Sequence, residues 1–135
     1  MLFKTDLFVF RQRDEDIDNW SVGGDCAGWF YIRLLLMDRI QHQRDPLMED
    51  WGWAFDVLVD GVTVTVNVWA FPIENCWLFE VKPISRFFGR QSEERLLAAK
   101  GIVTYAIEMI MEADARILNR TWYANDPFKL GLTDF

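Results

Sequence analysis

Hydrophobic and polar residues alternate with a two-residue period through residues 51–71, WGWAFDVLVDGVTVTVNVWAF. The alternation breaks at Asp60 and Gly61, and Asp-Gly supplies the two positive-φ residues that a type I′ hairpin turn requires. A turn there pairs apolar residues on one face of the hairpin: Val59 with Val62, Val57 with Val64, Phe55 with Val66, and Trp53 with Val68. A slip of one residue would mix the two faces, so the register is strongly specified.

The same register places Gly52 opposite Trp69, on the face away from the valines. A glycine at that position leaves room for the large ring to lie over the backbone. Trp51 and Trp53 are predicted on the valine face, and both are therefore interpreted as structural residues.

Two segments have the 3.6-residue period of amphipathic helices. The first is predicted at 26–41, with Asp25 as its N-cap and with Pro46 beyond its end, because proline cannot continue a helix. Its predicted apolar stripe is Trp29, Ile32, Leu36 and Ile40. The second helix is predicted from Ser92, a good N-cap, to about residue 113. Its predicted apolar stripe is Leu96, Ala99, Val103, Ala106 and Ile110.

Further strands are predicted at 3–11 and 76–81, and a short one near 116–123. The main elements therefore follow the order β-α-β-β-β-α. Three consecutive strands form an antiparallel meander, and the two helices are the only elements available to cover its apolar face. We predict a single α+β domain over residues 1–135, built as a two-layer sandwich.

Composition narrows the functional class. Lys and Arg number 14 against 21 Asp and Glu, which gives a net charge of −7. Such a chain is poorly suited to nucleic acid, whose phosphates require basic contacts, and better suited to basic partners. The apolar runs are too short to span a membrane, and residues 1–10 do not resemble a signal peptide. We therefore expect a cytoplasmic protein without a membrane partner, in which Cys26 and Cys76 are reduced thiols.

No catalytic or cofactor-binding motif is apparent. The single histidine, His42, lies among polar residues at the predicted end of a helix, and no glycine-rich phosphate-binding motif occurs. Asp14, Asp16 and Asp18 match the first three ligand positions of an EF-hand loop. However, Asn19 stands where that loop requires glycine, and a strand rather than a helix is predicted before it. We predict no metal site and no cofactor.

Three segments are candidates for partner binding. The first is an acidic loop followed by an aromatic residue: Asp14, Glu15, Asp16, Asp18 and Trp20. Acidic loops attract basic partners, and large aromatic residues with charged neighbours are typical of interface hot spots. The second is the acidic pair before the hairpin: Glu49 and Asp50. The third is a pair of adjacent phenylalanines in a predicted loop, which cannot easily both point inward: Phe87 and Phe88.

A small acidic α+β domain with an aromatic-rich meander and no catalytic constellation resembles the bacterial toxin-immunity proteins. The resemblance is one of overall character and carries no site residue. It implies a protein that binds and neutralises a cationic toxin, which in many cases is a nuclease. We expect the chain to be a monomer or homodimer.

Two alternatives remain open at this point. One is a small enzyme or ligand-binding domain with a pocket between sheet and helices, lined from Glu49, Trp51, Trp53 and Trp77. The other is a homo-oligomeric structural subunit joined through exposed aromatic residues.

Overall fold

The computed structural model describes residues 1–8, 22–85 and 91–132. One antiparallel sheet, ordered β2-β3-β4-β5-β1-β6, contains six strands: β1 (Leu2–Lys4), β2 (Ile40–Glu49), β3 (Gly52–Val59), β4 (Val62–Ala70), β5 (Cys76–Ile84) and β6 (Leu118–Thr121). Two helices accompany the sheet: α1 (Gly24–Leu35) and α2 (Glu93–Glu112). The predicted α+β class is confirmed, as is the central meander.

The β3–β4 hairpin has the predicted register at every position. Asp60 and Gly61 have φ angles of 50° and 79°, as a type I′ turn requires. Val59 pairs with Val62, and the pairing continues without a shift to Trp53 and Val68. The turn therefore determines which side chains enter the core.

Both helices pack on the valine face of the sheet, where one hydrophobic cluster joins the strands to α1 and α2. The Ser92 hydroxyl accepts a hydrogen bond from the Arg95 backbone N–H at 3.2 Å, which confirms the predicted N-cap of α2. Most of the predicted α2 stripe is buried, as the 3.6-residue period requires: Ala99, Val103, Ala106 and Ile110.

The prediction for the first helix was wrong in its N-cap, which is Gly23 and not Asp25, in its end and in its stripe. The α1 helix ends at Leu35, and Ile32 and Leu36 are 61% and 81% exposed. The buried face is instead the neighbouring stripe: Cys26, Ala27, Phe30, Tyr31 and Leu34. The helix is apolar around most of its circumference, so periodicity alone did not identify the inward face.

Residues 40–49, predicted as the helix end and a loop, form the edge strand β2. Pro46 lies within this strand, and the β2–β3 register shifts twice between His42 and Leu47. On one side, an edge strand forms no main-chain hydrogen bonds to another strand. It therefore accommodates proline and bulges that a central strand would not. Pro46 therefore marks an edge strand of the sheet and not the end of a helix.

The strand predicted at 3–11 is shorter, because β1 ends at Lys4. The second face of the sheet is also partly covered, which the sequence did not indicate. A small hydrophobic cluster there joins Leu2, Phe71, Cys76 and Leu78 to partly buried neighbours that include Tyr123 and Leu132. The chain after β6 therefore packs over one end of this face.

Replacing Gly52 with alanine tests how closely β3 and β4 approach. A Cβ atom at residue 52 would collide with the Val68 carbonyl oxygen and would lie 3.4 Å from Trp69 Cδ1. We expect Gly52→Ala to lower the free energy of unfolding by about 1–3 kcal/mol, as overpacking does, measured by urea denaturation.

Gly101→Ala is the matched control for that substitution. Gly101 lies inside α2, and an added Cβ there meets nothing within 4 Å. Alanine should raise stability by roughly 0.5–1 kcal/mol, because glycine is a poor helix former. Equal effects of the two substitutions would contradict the close approach at residue 52.

Candidate functional site

The tip of the β2–β3 hairpin exposes aromatic and acidic side chains close together. Glu49 pairs with Gly52, so Asp50 and Trp51 form the turn between the strands. The Trp51 ring packs against Trp69 with ring centroids 4.8 Å apart and planes inclined by 39°. Trp51 therefore lies on the face away from the valines. Its predicted place on the valine face was wrong because β3 begins one residue later, at Gly52.

Two further apolar side chains near the tip are exposed, on opposite faces of the sheet. Leu47 and Met48 are each 52% exposed, and Trp51 is 41% exposed. Leu47 pairs with Ala54, on the face of Trp69, whereas Met48 pairs with Trp53, on the valine face. We define the hairpin-tip patch as five residues: Leu47, Glu49, Asp50, Trp51 and Trp69. Clustered exposed apolar side chains beside charged ones are characteristic of protein-binding surfaces.

The two carboxylates of the hairpin-tip patch differ in their partners. Arg44 Nη1 lies 3.8 Å from Glu49 Oε1, while Arg44 Nε lies 3.0 Å from Asp56 Oδ2. Asp56 also accepts a hydrogen bond of 2.6 Å from the Thr65 hydroxyl. Arg44 thus forms ion pairs with both Glu49 and Asp56. Asp50 is exposed and has no ion pair or hydrogen bond among the residues with described positions, so its charge is available to a partner.

The structure places two of the nine predicted partner-binding residues, Glu49 and Asp50, which lie together at the hairpin tip. The other seven lie outside the described ranges: Asp14, Glu15, Asp16, Asp18, Trp20, Phe87 and Phe88. Sequence reasoning missed Leu47, because Pro46 was interpreted as a loop residue. A two-residue turn at Asp50 and Trp51 implies a strand immediately before it, and that strand includes Leu47.

The pocket proposed as an alternative does not assemble from its four predicted residues. Trp77 is fully buried in the core. Trp53 packs against the start of α1, where a Cβ on Gly24 would lie 2.7 Å from its ring. Trp51 is on the opposite face with Trp69, and Glu49 pairs with Arg44. These side chains therefore occupy separate environments.

The single histidine belongs to β2 and faces α1. Its Nδ1 atom makes a hydrogen bond with the Tyr31 hydroxyl, which also donates to Asp45 Oδ1 at 3.2 Å. The Tyr31 ring packs edge-on against buried Phe55, with centroids 5.3 Å apart. Burial, reinforced by the Asp45 carboxylate, raises the pKa of Tyr31 to about 12. The neutral Tyr31 hydroxyl links α1 to β2 through its hydrogen bonds with His42 and Asp45. Because its pKa is raised, it is a poor general base.

Both cysteines are free and buried, and they belong to different hydrophobic clusters. Burial raises the pKa of the Cys26 thiol well above its usual value and also raises that of Cys76. Across residues 1–8, 22–85 and 91–132, no group of three or more His, Cys, Asp or Glu side chains is arranged to hold a metal ion. No helix in these ranges is sufficiently long and apolar to cross a membrane.

Comparison with protein-family models, curated proteins and solved structures found no match. The functional argument therefore rests on the geometry and charge of this chain.

Tyr31 predicts a specific alkaline sensitivity. Its pKa is about 12 in the folded chain and about 10 in an unfolded chain. The folded state thus retains a proton that the unfolded state loses, and this contribution to stability is complete below pH 10 and lost as the pH rises toward 12. In urea denaturation across this pH range, the free energy of unfolding should fall less steeply for Tyr31→Phe than for the unsubstituted chain. Parallel curves for the two proteins would contradict the assignment.

The buried thiols predict low reactivity. Because burial raises the pKa of both thiols and shields them, neither should react with a disulfide reagent in the native protein. Both should react once denaturant unfolds the chain, which a colorimetric thiol assay measures. Rapid reaction of one native thiol would show that its cluster opens locally; Cys26→Ser and Cys76→Ser would identify it.

Proposed function

We propose that this chain is a protein-binding domain that uses the hairpin-tip patch to bind a basic protein. The observation that carries the proposal is the exposed Trp51 ring, which is held against Trp69 at a hairpin tip, with exposed Leu47 on the same face of the sheet. A tryptophan fixed by a stacking neighbour loses little conformational entropy on binding, which is a property of interface anchors. Nothing in the core requires Trp51 at this exposed position.

Charge supports a basic partner. The chain carries a net charge of −7, and Asp50 lies beside the aromatic pair without an internal partner among the described residues. An acidic surface accelerates encounter with a cationic protein and suppresses binding of acidic ones. The acidic loop with Asp14, Glu15, Asp16 and Asp18 would add to the same attraction.

We further propose that the partner is a bacterial toxin and that this chain is its immunity protein. This step rests on the resemblance to toxin-immunity proteins in size, acidity and aromatic content. Basic toxins, nucleases among them, offer the charge that the hairpin-tip patch lacks. The proposed setting is the cytoplasm of the producing bacterium, with the chain acting as a monomer or homodimer.

The test is binding to the product of the adjacent gene, measured by calorimetry with purified proteins. Trp51→Ala should weaken binding by about thirtyfold or more, the scale of a hot-spot residue at roughly 2 kcal/mol. Asp50→Asn should mainly slow association and reduce its dependence on salt concentration. Loss of the stacking contact removes only about 0.5–1.5 kcal/mol, so the Trp51 variant is expected to fold.

Matched controls separate the patch from general effects. Tyr105→Ala removes an aromatic side chain that is 68% exposed on α2, and Glu112→Gln removes an exposed charge from the same helix. Neither should change affinity, and a Tyr105 effect equal to that of Trp51 would contradict the hairpin-tip patch. An adjacent gene product that does not bind would contradict the immunity role. Changing Asp14, Asp16 and Asp18 together to asparagine tests the acidic loop separately.

A further inference from the structure

The irregular edge strand β2 brings His42 and Asp45 to one hydroxyl group. Residues three apart in a regular strand point to opposite faces of the sheet, because successive side chains alternate. In β2, however, the register shifts between His42 and Arg44 and again between Arg44 and Leu47. Both His42 and Asp45 therefore reach the hydroxyl of Tyr31 on α1. Bulges that re-aim side chains in this way are frequent beside functional sites.

The hydrogen bonds around this hydroxyl have one consistent direction. The Tyr31 O–H donates to Asp45 Oδ1 at 3.2 Å, and a hydroxyl has only one hydrogen to donate. Burial, reinforced by Asp45, raises the pKa of Tyr31 to about 12, so the hydroxyl keeps that hydrogen at neutral pH. The bond between the Tyr31 oxygen and His42 Nδ1 therefore takes its hydrogen from His42.

The Asp45 carboxylate favours the same position for the hydrogen. Asp45 Oδ1 lies 3.6 Å from His42 Nδ1. A bare Nδ1 would direct a lone pair toward the carboxylate, whereas an Nδ1–H group is attracted to it. The hydrogen bond made by one ring nitrogen determines which nitrogen of a neutral imidazole carries the hydrogen. The neutral His42 ring therefore has its hydrogen on Nδ1 and a lone pair on Nε2.

The Nε2 atom and the Asp45 carboxylate are both available to a partner. The side chains of His42 and Asp45 are 57% and 81% exposed. Within the described part of the chain, no residue forms a hydrogen bond with His42 Nε2, and no lysine or arginine forms an ion pair with Asp45. An imidazole lone pair and a carboxylate both accept hydrogen bonds, and the carboxylate adds a negative charge. These two groups together suit a cationic N–H donor.

We propose that His42 Nε2 accepts a hydrogen bond from a lysine or arginine side chain of a basic protein partner, with Asp45 attracting the cation. Tyr31 is a positioning residue, because it acts only by fixing the hydrogen on Nδ1. The nature of the donor rests on the proposed function, whereas the position of the hydrogen does not. His42 and the hairpin tip both belong to β2, so a partner that follows this edge contacts both.

The position of the hydrogen is tested by NMR of the ¹⁵N-labelled full chain at about pH 8.5, above the range in which an ordinary histidine titrates. The chain has one histidine, so its ring signals are assigned without ambiguity. Two-bond ¹H–¹⁵N correlations should show hydrogen on Nδ1 and none on Nε2. Tyr31→Phe keeps the ring beside Phe55 and should move hydrogen toward Nε2. Hydrogen on Nε2 of the unsubstituted chain would overturn the proposal.

The donor class is tested by titrating the same sample with Nα-acetyl-lysine amide. Nα-acetyl-norleucine amide is the matched control, because it has a similar side chain without the ammonium group. Only the lysine compound should shift the Nε2 resonance, and Asp45→Asn should reduce that shift by removing the charge. Equal shifts with both compounds, or no shift with either, would contradict a cationic donor.

Calorimetry with the adjacent gene product separates this inference from the proposed function. His42→Ala should weaken binding about tenfold, the scale of one hydrogen bond to a charged group. Gln41→Ala, at an exposed neighbouring residue of β2, should leave the affinity unchanged. If Trp51→Ala weakens binding and His42→Ala does not, the hairpin-tip patch stands and this inference fails. If the gene product does not bind, the proposed immunity role fails, and the lysine titration still decides the inference.

Discussion

The Asp60–Gly61 turn is the constraint on which the rest of the structure depends. Because both residues adopt positive φ, the hairpin closes with Val59 opposite Val62, and every valine of β3 and β4 then points to one face. The two helices pack against this apolar face and bury it. A register moved by one residue would expose the valines and place Asp56, Thr63 and Thr65 in the core.

Glycines then determine where the tryptophans can lie. Gly24, at the start of α1, lies against the Trp53 ring, where a Cβ atom would come within 2.7 Å. Gly52 lies against the Val68 carbonyl oxygen, where a Cβ atom would collide, and its neighbour Trp51 lies in the turn and packs on Trp69. Two tryptophans separated by one glycine thus have opposite roles: Trp53 supports the core, and Trp51 is available to a partner.

The edge strand β2 offers side chains, and no regular main-chain ladder, to a partner. The β2 edge is long but interrupted by Pro46 and two register shifts, which protects it from pairing with another strand. Irregular backbone therefore limits β2 to side-chain contacts such as those of the hairpin-tip patch.

Local signals in the sequence were sufficient for the hairpin register, the Ser92 N-cap, the extent of α2 and the α+β class. Each depends on residues close together in the chain: the Asp60–Gly61 turn, a capping hydroxyl, a helical period. Glu49 and Asp50 were correctly predicted outside the core, although Glu49 ends the strand β2, which was not predicted.

Only the tertiary structure decided the inward face of α1, the strand at 40–49 and the exposure of Trp51. The α1 helix is apolar on two stripes, and contact with Phe55 and Phe79 selected the one that includes Tyr31 and Phe30. Pro46 is compatible with a loop or with a sheet edge, and only the position of β2 in the strand order distinguishes them. Such features depend on neighbours distant in sequence, whose proximity no local pattern encodes.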